Sequence, residues 1–408
     1  MNADERGWTR MEAIDPARVC QLALDLVRIP SPTGDSRLVA EFYAEHLRER
    51  GLSVEFDEEF PQSPSVIAYL EGGEPGPTLE LAGHLDVIPT PHDPPEIRAG
   101  FLYGRGAADM KGGMAAVLEV ARVLAPVRDH LRGRLMVCAY GLHEAPLGRG
   151  QSLLRLLERG IVGDAVISVE GPADEVAVIG KGMSTYEIVV EREGEPVHEV
   201  QASPDLPNPL LVGLDVANAL RTWAEELGRG EDLPYVGPES LFIGQFESGD
   251  FYNRVPTRCR IVGTRRYAPD KRFPEVEAEF QARLEPLRQR TAGPSQGRPL
   301  RQRSPVRIRL DLVKAKDGFR VREDEPIVRL LQRAYHEVTG RPLPAGGFKA
   351  VGDVSNFVHE GGVPAVYYGC GLERAHATPE FVALSRLEQL ARVLLATATR
   401  YLGLDERM

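Results

Sequence analysis

Cysteine is scarce in this chain of 408 residues: Cys20, Cys138, Cys259 and Cys370 stand far apart, and none forms a CxxC pair or a compact zinc-ligand spacing. They read as buried or incidental thiols in a reducing compartment rather than as a thiolate metal module. Long apolar runs are missing as well. Residues 1–30 carry Asp4, Glu5, Arg6, Arg10 and Glu12 and no continuous apolar core, so neither a signal peptide nor a membrane anchor is expected and the cytoplasm is the expected location. Basic runs are also absent. With a net charge of -11 and no Lys/Arg cluster to follow a phosphate backbone or an anionic bilayer, nucleic acid and membranes are excluded as expected partners. What remains is an ordinary globular composition, 42% hydrophobic, long enough for two or three domains with their own cores.

Along the chain, Asp15 and Pro16 read as an N-cap and a first helical residue, and Val19, Leu22, Ala23, Leu26 and Val27 repeat with helical period up to Pro30. Short apolar runs bounded by turn residues follow at 65–70, 78–82, 134–140 and 165–169. Between them lie helical patterns, Met114, Val117, Leu118, Ala121 and Leu124 on one face, then Leu153, Leu154, Leu156 and Leu157. Alternating strands and helices predict an α/β layer with a mainly parallel sheet.

From about residue 183 the texture changes to strand-like runs at 185–190, 258–262 and 306–312 around helical stretches at 211–227 and 274–287, with a Gly-, Pro- and Ser-rich loop at 291–305. The α/β texture returns from Pro326, with a helix, an apolar strand at 365–368 and a last helix at 387–401. The expectation is a catalytic domain in two parts, 1–182 and 315–408, split by a smaller α+β insert at 183–314.

Residues able to bind a metal share one placement, just after an apolar strand. His84 and Asp86 follow 78–82, Glu144 follows 134–140, Glu170 follows 165–169 and His376 follows 365–368. In open α/β sheets, ligands bind beyond the strand C-termini, so these segments can converge. Asp109 joins them from the glycine-rich loop 104–109, ahead of a helix. Imidazoles mixed with carboxylates suit zinc, which accepts nitrogen and oxygen donors alike.

These residues sit in recognisable strings. They are Gly83-His84-Leu85-Asp86-Val87-Ile88-Pro89, the run from Gly104 through Asp109 to Gly113, Asn253-Arg254-Val255-Pro256, Arg266 ahead of Pro269, Gly352-Asp353, and His376 after Gly369-Cys370-Gly371. In their order and spacing, nearly over its whole length, the chain resembles the dinuclear zinc exopeptidases that include acetylornithine deacetylase, succinyl-diaminopimelate desuccinylase, aminoacylase and carboxypeptidase G.

The resemblance implies two zinc ions per chain, or manganese or cobalt in their place. His84 and Glu170 would bind one ion, Glu144 and His376 the other, with Asp109 bridging and Asp86 orienting the His84 ring. The ions would activate a shared water against an amide carbonyl. It further implies a lid domain that forms a homodimer, with His198 stabilising the oxyanion across the interface and Asn253 and Arg266 holding the substrate carboxylate. The implied substrate is a small N-acyl amino acid or dipeptide.

One departure stands out: the family carries two adjacent glutamates where this chain has His143 and Glu144. The base position then falls on His143, whose imidazole can accept a proton near neutral pH. Alternatively, a shifted register makes His143 a ligand and Glu144 the base, or His143 only packs and the protein binds metal and ligand with weak or lost hydrolysis.

Structural readings compete elsewhere. Asp109 could be the N-cap of the helix that follows it. Arg265 stands beside Arg266, so strand alternation decides which one faces a site. His46, His130 and His336 sit in or near helical surface patterns and His92 and His359 match no ligand position, so all five read as structural or solvated. The pair Gly104 and Gly106 lacks the third glycine of a dinucleotide fingerprint.

Overall fold

A computed structural model describes residues 13–292 and 306–404, which leaves the charged start of the chain and nearly all of the loop at 291–305 outside the described residues. Two compact units appear. One is assembled from the chain up to Ile179, Arg320–Phe348 and the chain from Gly352; the other is Gly180–Phe319 with Lys349–Val351.

The larger unit is built on a nine-stranded sheet. Its strands are β1 (Ser53–Asp57), β2 (Ser65–Glu71), β3 (Glu74–His84), β4 (Arg132–Tyr140), β5 (Ala165–Ser168), β6 (Val176–Gly180), β7 (Phe319–Arg320), β8 (Ala345–Phe348) and β9 (Ala365–Tyr367). They run in the order β1-β2-β4-β3-β5-β9-β6-β7, with β8 also paired to β6. The centre, β4-β3-β5-β9, is parallel, while β1-β2, β2-β4 and β9-β6 are antiparallel. This is the α/β architecture with a mainly parallel sheet that the alternating texture predicts. Leu79, Leu81, Leu135, Val137, Val166 and Ile167 are fully covered, as central strands buried on both faces require.

Helices cover the sheet. In α1 (Pro16–Arg28) the Asp15 carboxylate accepts from Ala17 N and Arg18 N at 3.0 and 3.3 Å, and Val19, Leu22, Ala23, Leu26 and Val27 are buried. Each of the larger aliphatics contributes roughly 1.5–3 kcal/mol by leaving water. After α2 (Arg37–Glu49), α3 (Lys111–Leu124) is apolar nearly all round because it is packed on all sides, including against α1. A Cβ on Gly113 would stand 2.7 Å from Val169 O, so glycine lets the start of α3 press onto the chain leaving β5. The buried Lys111 ammonium donates to Leu26 O and Ile29 O, closing the C-terminal end of α1.

The smaller unit is a four-stranded antiparallel sheet of Ser240–Ser248, Arg258–Tyr267, Gly182–Glu191 and Arg307–Lys316, in that order. Helices Pro209–Gly228 and Phe273–Ala292 share its core with Tyr186, Ile188, Val190, Cys259, Ile261 and Trp223.

Candidate metal centre

The central parallel strands run in one direction, so the chain leaves β3, β4, β5 and β9 at the same edge of the sheet. His84 closes β3, Glu144 lies in the loop after β4, Glu170 follows β5, and His376 lies beyond β9. Asp109 comes from the loop before α3. Its side chain does not cap that helix, which starts without a side-chain cap; it turns into the cluster instead. The structure thus brings His84, Asp109, Glu144 and His376 to hydrogen-bonding distance and places Glu170 beside them.

The contacts are specific. Asp109 Oδ1 lies 3.1 Å from His84 Nε2, and Oδ2 lies 3.3 Å from His376 Nε2. Glu144 Oε1 is 2.9 Å from the same His376 nitrogen. Ligand atoms of His84, Asp109 and Glu144 fall within 4.8 Å of one another, as do those of His84, His143 and Glu170. His376 is half-exposed and adopts φ +60°, a left-handed conformation that is costly for a side chain and recurs at functional sites.

Asp86 departs in detail from the role expected of it. His84 Nδ1 contacts the Asp86 backbone oxygen at 2.9 Å and its carboxylate only at 3.7 Å. Asp86 Oδ2 instead accepts from Thr33 Oγ1, His143 N and Glu144 N at 2.7, 3.1 and 3.0 Å, anchoring the loop that carries Glu144.

Electrostatics follow from burying many ionisable groups together. Burial disfavours the His84 imidazolium, yet the hydrogen bond and charge of Asp109, with Asp86 and Glu144, raise its pKa well above the ordinary value. Hydrogen bonds to the Asp109 and Glu144 carboxylates push His376 up to about 10 against the effect of burial. Burial would raise Asp109, but its bonds to His376 and His84 bring it well below the carboxylate range. Glu170 is raised to about 8, mainly by burial and then by the neighbouring Asp109 charge, with His143 opposing.

Burial also opposes the charged form of His143, but Asp353 more than offsets it and lifts the pKa to about 9.

The donor set fits divalent metal. Glu170 Oε2 is buried with no hydrogen-bond partner, and such a carboxylate oxygen is costly unless a cation completes it. The two Asp109 oxygens face different imidazoles, the arrangement a bridging carboxylate needs.

Two residues with no role assigned from sequence complete the site. Glu380, fully buried, accepts from Gly106 N, Ala108 N and Asp109 N through Oε1 and from Arg105 through Oε2, so it shapes the loop that carries Asp109. Its nearness to His376 in sequence was the available signal. Asp353 Oδ2 lies 2.7 Å from His143 Nδ1, a pairing across the chain that no local pattern announces. The His143 ring stacks on that of His84, centroids 4.0 Å apart and planes 2° from parallel.

In the smaller unit, taken by itself, His198 and Asn253 meet across the short ribbon of Val197–His198 and Arg254–Val255, with the amide nitrogen 3.0 Å from His198 Nε2. Arg265 is fully buried, paired with Glu239 and Glu279 and stacked over Trp223. Strand alternation places Arg266 on the opposite face, where it donates to Lys349 O.

Comparison with known proteins shows the family. The chain is 29% identical over 401 residues to a succinyl-diaminopimelate desuccinylase of Methylobacterium radiotolerans, covering 93% of this chain and 95% of the relative. Its fold matches the aminopeptidase PepT of Bacillus cereus with a TM-score of 0.77 at 19% identity, over 95% and 99% of the two chains. It also matches YXEP of Bacillus subtilis, described as a dinuclear metal binding peptidase, with a TM-score of 0.67 at 15% identity over 95% and 98%. The model of peptidase family M20/M25/M40 matches residues 81–400, a span that takes in His84, Asp109, Glu144, Glu170 and His376, and the chain is a hydrolase belonging to that family.

Proposed function

We propose that the protein hydrolyses the amide bond of a small N-acyl amino acid or dipeptide, with two metal ions held by His84, Asp109, Glu144, Glu170 and His376. The observation that carries this reading is Asp109, whose two oxygens face His84 and His376 separately beside a buried, unpartnered Glu170 oxygen. His84 and Glu170 would hold one ion, Glu144 and His376 the other, and Asp109 both. When bound, the ions supply Lewis acidity toward the scissile carbonyl and acidify a water held between them. Zinc suits the mixed imidazole and carboxylate donors, with manganese and cobalt as alternatives.

His143 serves as the general base. The stacked rings, with planes 2° apart, do not converge on one point, so His84 and His143 would not serve one ion together. The 3.1 Å contact of His84 Nε2 with Asp109 favours His84 as the ligand and leaves His143 for the base. With cations bound beside it, His143 would hold its proton less tightly than in the metal-free site, which suits it to act as a base. Proton acceptance falls to its Nε2, because Nδ1 is engaged by Asp353. Asp86 steadies the loop carrying both His143 and Glu144.

Arg266 and Asn253 hold the substrate carboxylate, the arginine by its fork of donors, and His198 donates to the oxyanion. The protein acts as a homodimer through its smaller unit, in the cytoplasm. Four free thiols agree with that location.

The deciding experiment loads purified protein with zinc, counts the metal, and screens N-succinyl-diaminopimelate, N-acetyl and N-formyl amino acids, dipeptides and tripeptides for amine release. Two metals per chain and turnover abolished by a chelator are expected. Two metals with no turnover of any substrate would transfer support to a family member that binds metal and ligand with weak or lost hydrolysis.

A further inference from the structure

His143 is restrained on three sides. Its backbone N–H donates to Asp86 Oδ2 at 3.1 Å, its ring face lies against His84, and its Nδ1 meets Asp353 Oδ2 at 2.7 Å. Asp353 is itself set in a stiff frame: it is 1% exposed and precedes the short helix Val354–His359, whose first N–H donates to Tyr367 Oη at 3.0 Å. A Cβ on Gly352 would stand 2.3 Å from that hydroxyl and 3.2 Å from Glu170 Oε2, so this segment is pressed onto β9 and the metal-site carboxylate. A histidine that merely filled the loop would need neither a buried carboxylate at its ring nitrogen nor a backbone anchor beside it. Burying the Asp353 carboxylate is unfavourable unless a donor or cation answers it, so the group is retained against a penalty.

We propose that Asp353 is a positioning residue, a buried carboxylate that fixes the rotation of the His143 ring and keeps the proton of its neutral form on Nδ1, leaving the lone pair on Nε2. A carboxylate accepts and cannot donate, so the nitrogen facing Asp353 must carry hydrogen. The opposite nitrogen is then bare in the neutral ring. Carboxylates behind metal-site imidazoles act in this way, fixing tautomer and orientation, and their loss typically costs roughly 10–100-fold in function. The proposal deepens the reading of His143 as base and rests on it for its catalytic consequence, though not for the tautomer itself.

The test uses the full-length zinc-loaded protein with 15N-labelled histidine, His143 being assigned from the signals lost in His143→Gln. Wild type should show His143 protonated on Nδ1 and bare on Nε2. Asp353→Ala should lose that tautomer. Asp353→Asn, which fills the same space and keeps an acceptor oxygen, should retain it in part and guards against an Ala variant that fails to fold.

In steady-state assays, Asp353→Ala should lower kcat roughly 10–100-fold with KM and metal content near wild type. In a His143→Glu background the same change should have little further effect, a coupling that a merely structural role would not produce. A bare Nδ1 in wild type overturns the proposal. So does an Asp353→Ala loss that is equal in both backgrounds or comes with lost metal. If the tautomer is as expected while His143→Ala keeps full kcat, Asp353 still positions the ring and the base reading is what fails. Should no substrate turn over, the tautomer alone decides.

Discussion

Asp109 turns its two carboxylate oxygens toward different imidazoles, Oδ1 to His84 and Oδ2 to His376, while Glu380 takes its backbone N–H at 3.2 Å. One side chain thus stands between the two proposed metal positions, and the loop beneath it is held by another carboxylate. Replacing Asp109 by Ala should empty both positions together, so atomic absorption on the dialysed variant should read close to no metal per chain where wild type holds two. Retention of even one equivalent would deny the bridge. The residues themselves were legible from sequence because histidine and acid recur after apolar strands. Their pairing was not: Asp353 and His143 are 210 residues apart with the smaller unit's chain between them, and no periodicity couples them.

Among the elements, β3 carries the most. It delivers His84 at its end, yet in its buried middle it holds Glu80, whose Oε2 accepts from Gly163 N at 2.8 Å. Burial drives its pKa up to about 7, opposed by that backbone bond and by Cys138. The folded value lies above the unfolded one, so the associated stability is full below about pH 4.5 and is lost as pH rises through about 7. Glu80→Gln keeps the acceptor and cannot ionise. Its stability relative to wild type, measured by urea unfolding, should therefore improve between pH 5 and pH 8, by about 3 kcal/mol at most. An offset that is the same at both pH values would mean that Glu80 does not titrate there. The alternating texture announced β3 as a short apolar strand at 78–82; pairing with β4 on one side extends it to Glu74–His84, because backbone hydrogen bonds continue past the apolar stretch.

For the whole molecule, the proposed homodimer has a surface to match it. Ser240–Ser248 is an outer strand of the smaller sheet, with its far edge unpaired among the described residues, and Phe242 and Phe246 on it are exposed by 66% and 39%. Leu211 and Leu214 are exposed on the helix Pro209–Gly228 that packs against this strand. An open apolar edge invites strand pairing, and a second copy about a two-fold axis satisfies it with the same residues on both sides. Phe242→Asp combined with Phe246→Asp should shift sedimentation from dimer to monomer while leaving metal content unchanged. A wild-type monomer at micromolar concentration, or a double variant that still sediments as a dimer, would remove this interface.

Hydrophobic period and turn residues were enough to mark α1 with its Asp15 cap, the parallel strands and the change of texture at the smaller unit, since these depend on neighbours in the chain. Chemistry placed at strand ends was enough to name His84, Glu144, Glu170 and His376. Strand alternation, once the register was known, separated buried Arg265 from Arg266, a choice the two adjacent arginines left open. Only the tertiary structure decided that the Asp86 carboxylate holds the His143–Glu144 backbone, that Glu380 shapes the Asp109 loop and that Asp353 stands behind His143. Those contacts join segments far apart in the chain, and their partners are chosen by how the parallel strands bring their ends to one edge, which no local pattern of residues encodes.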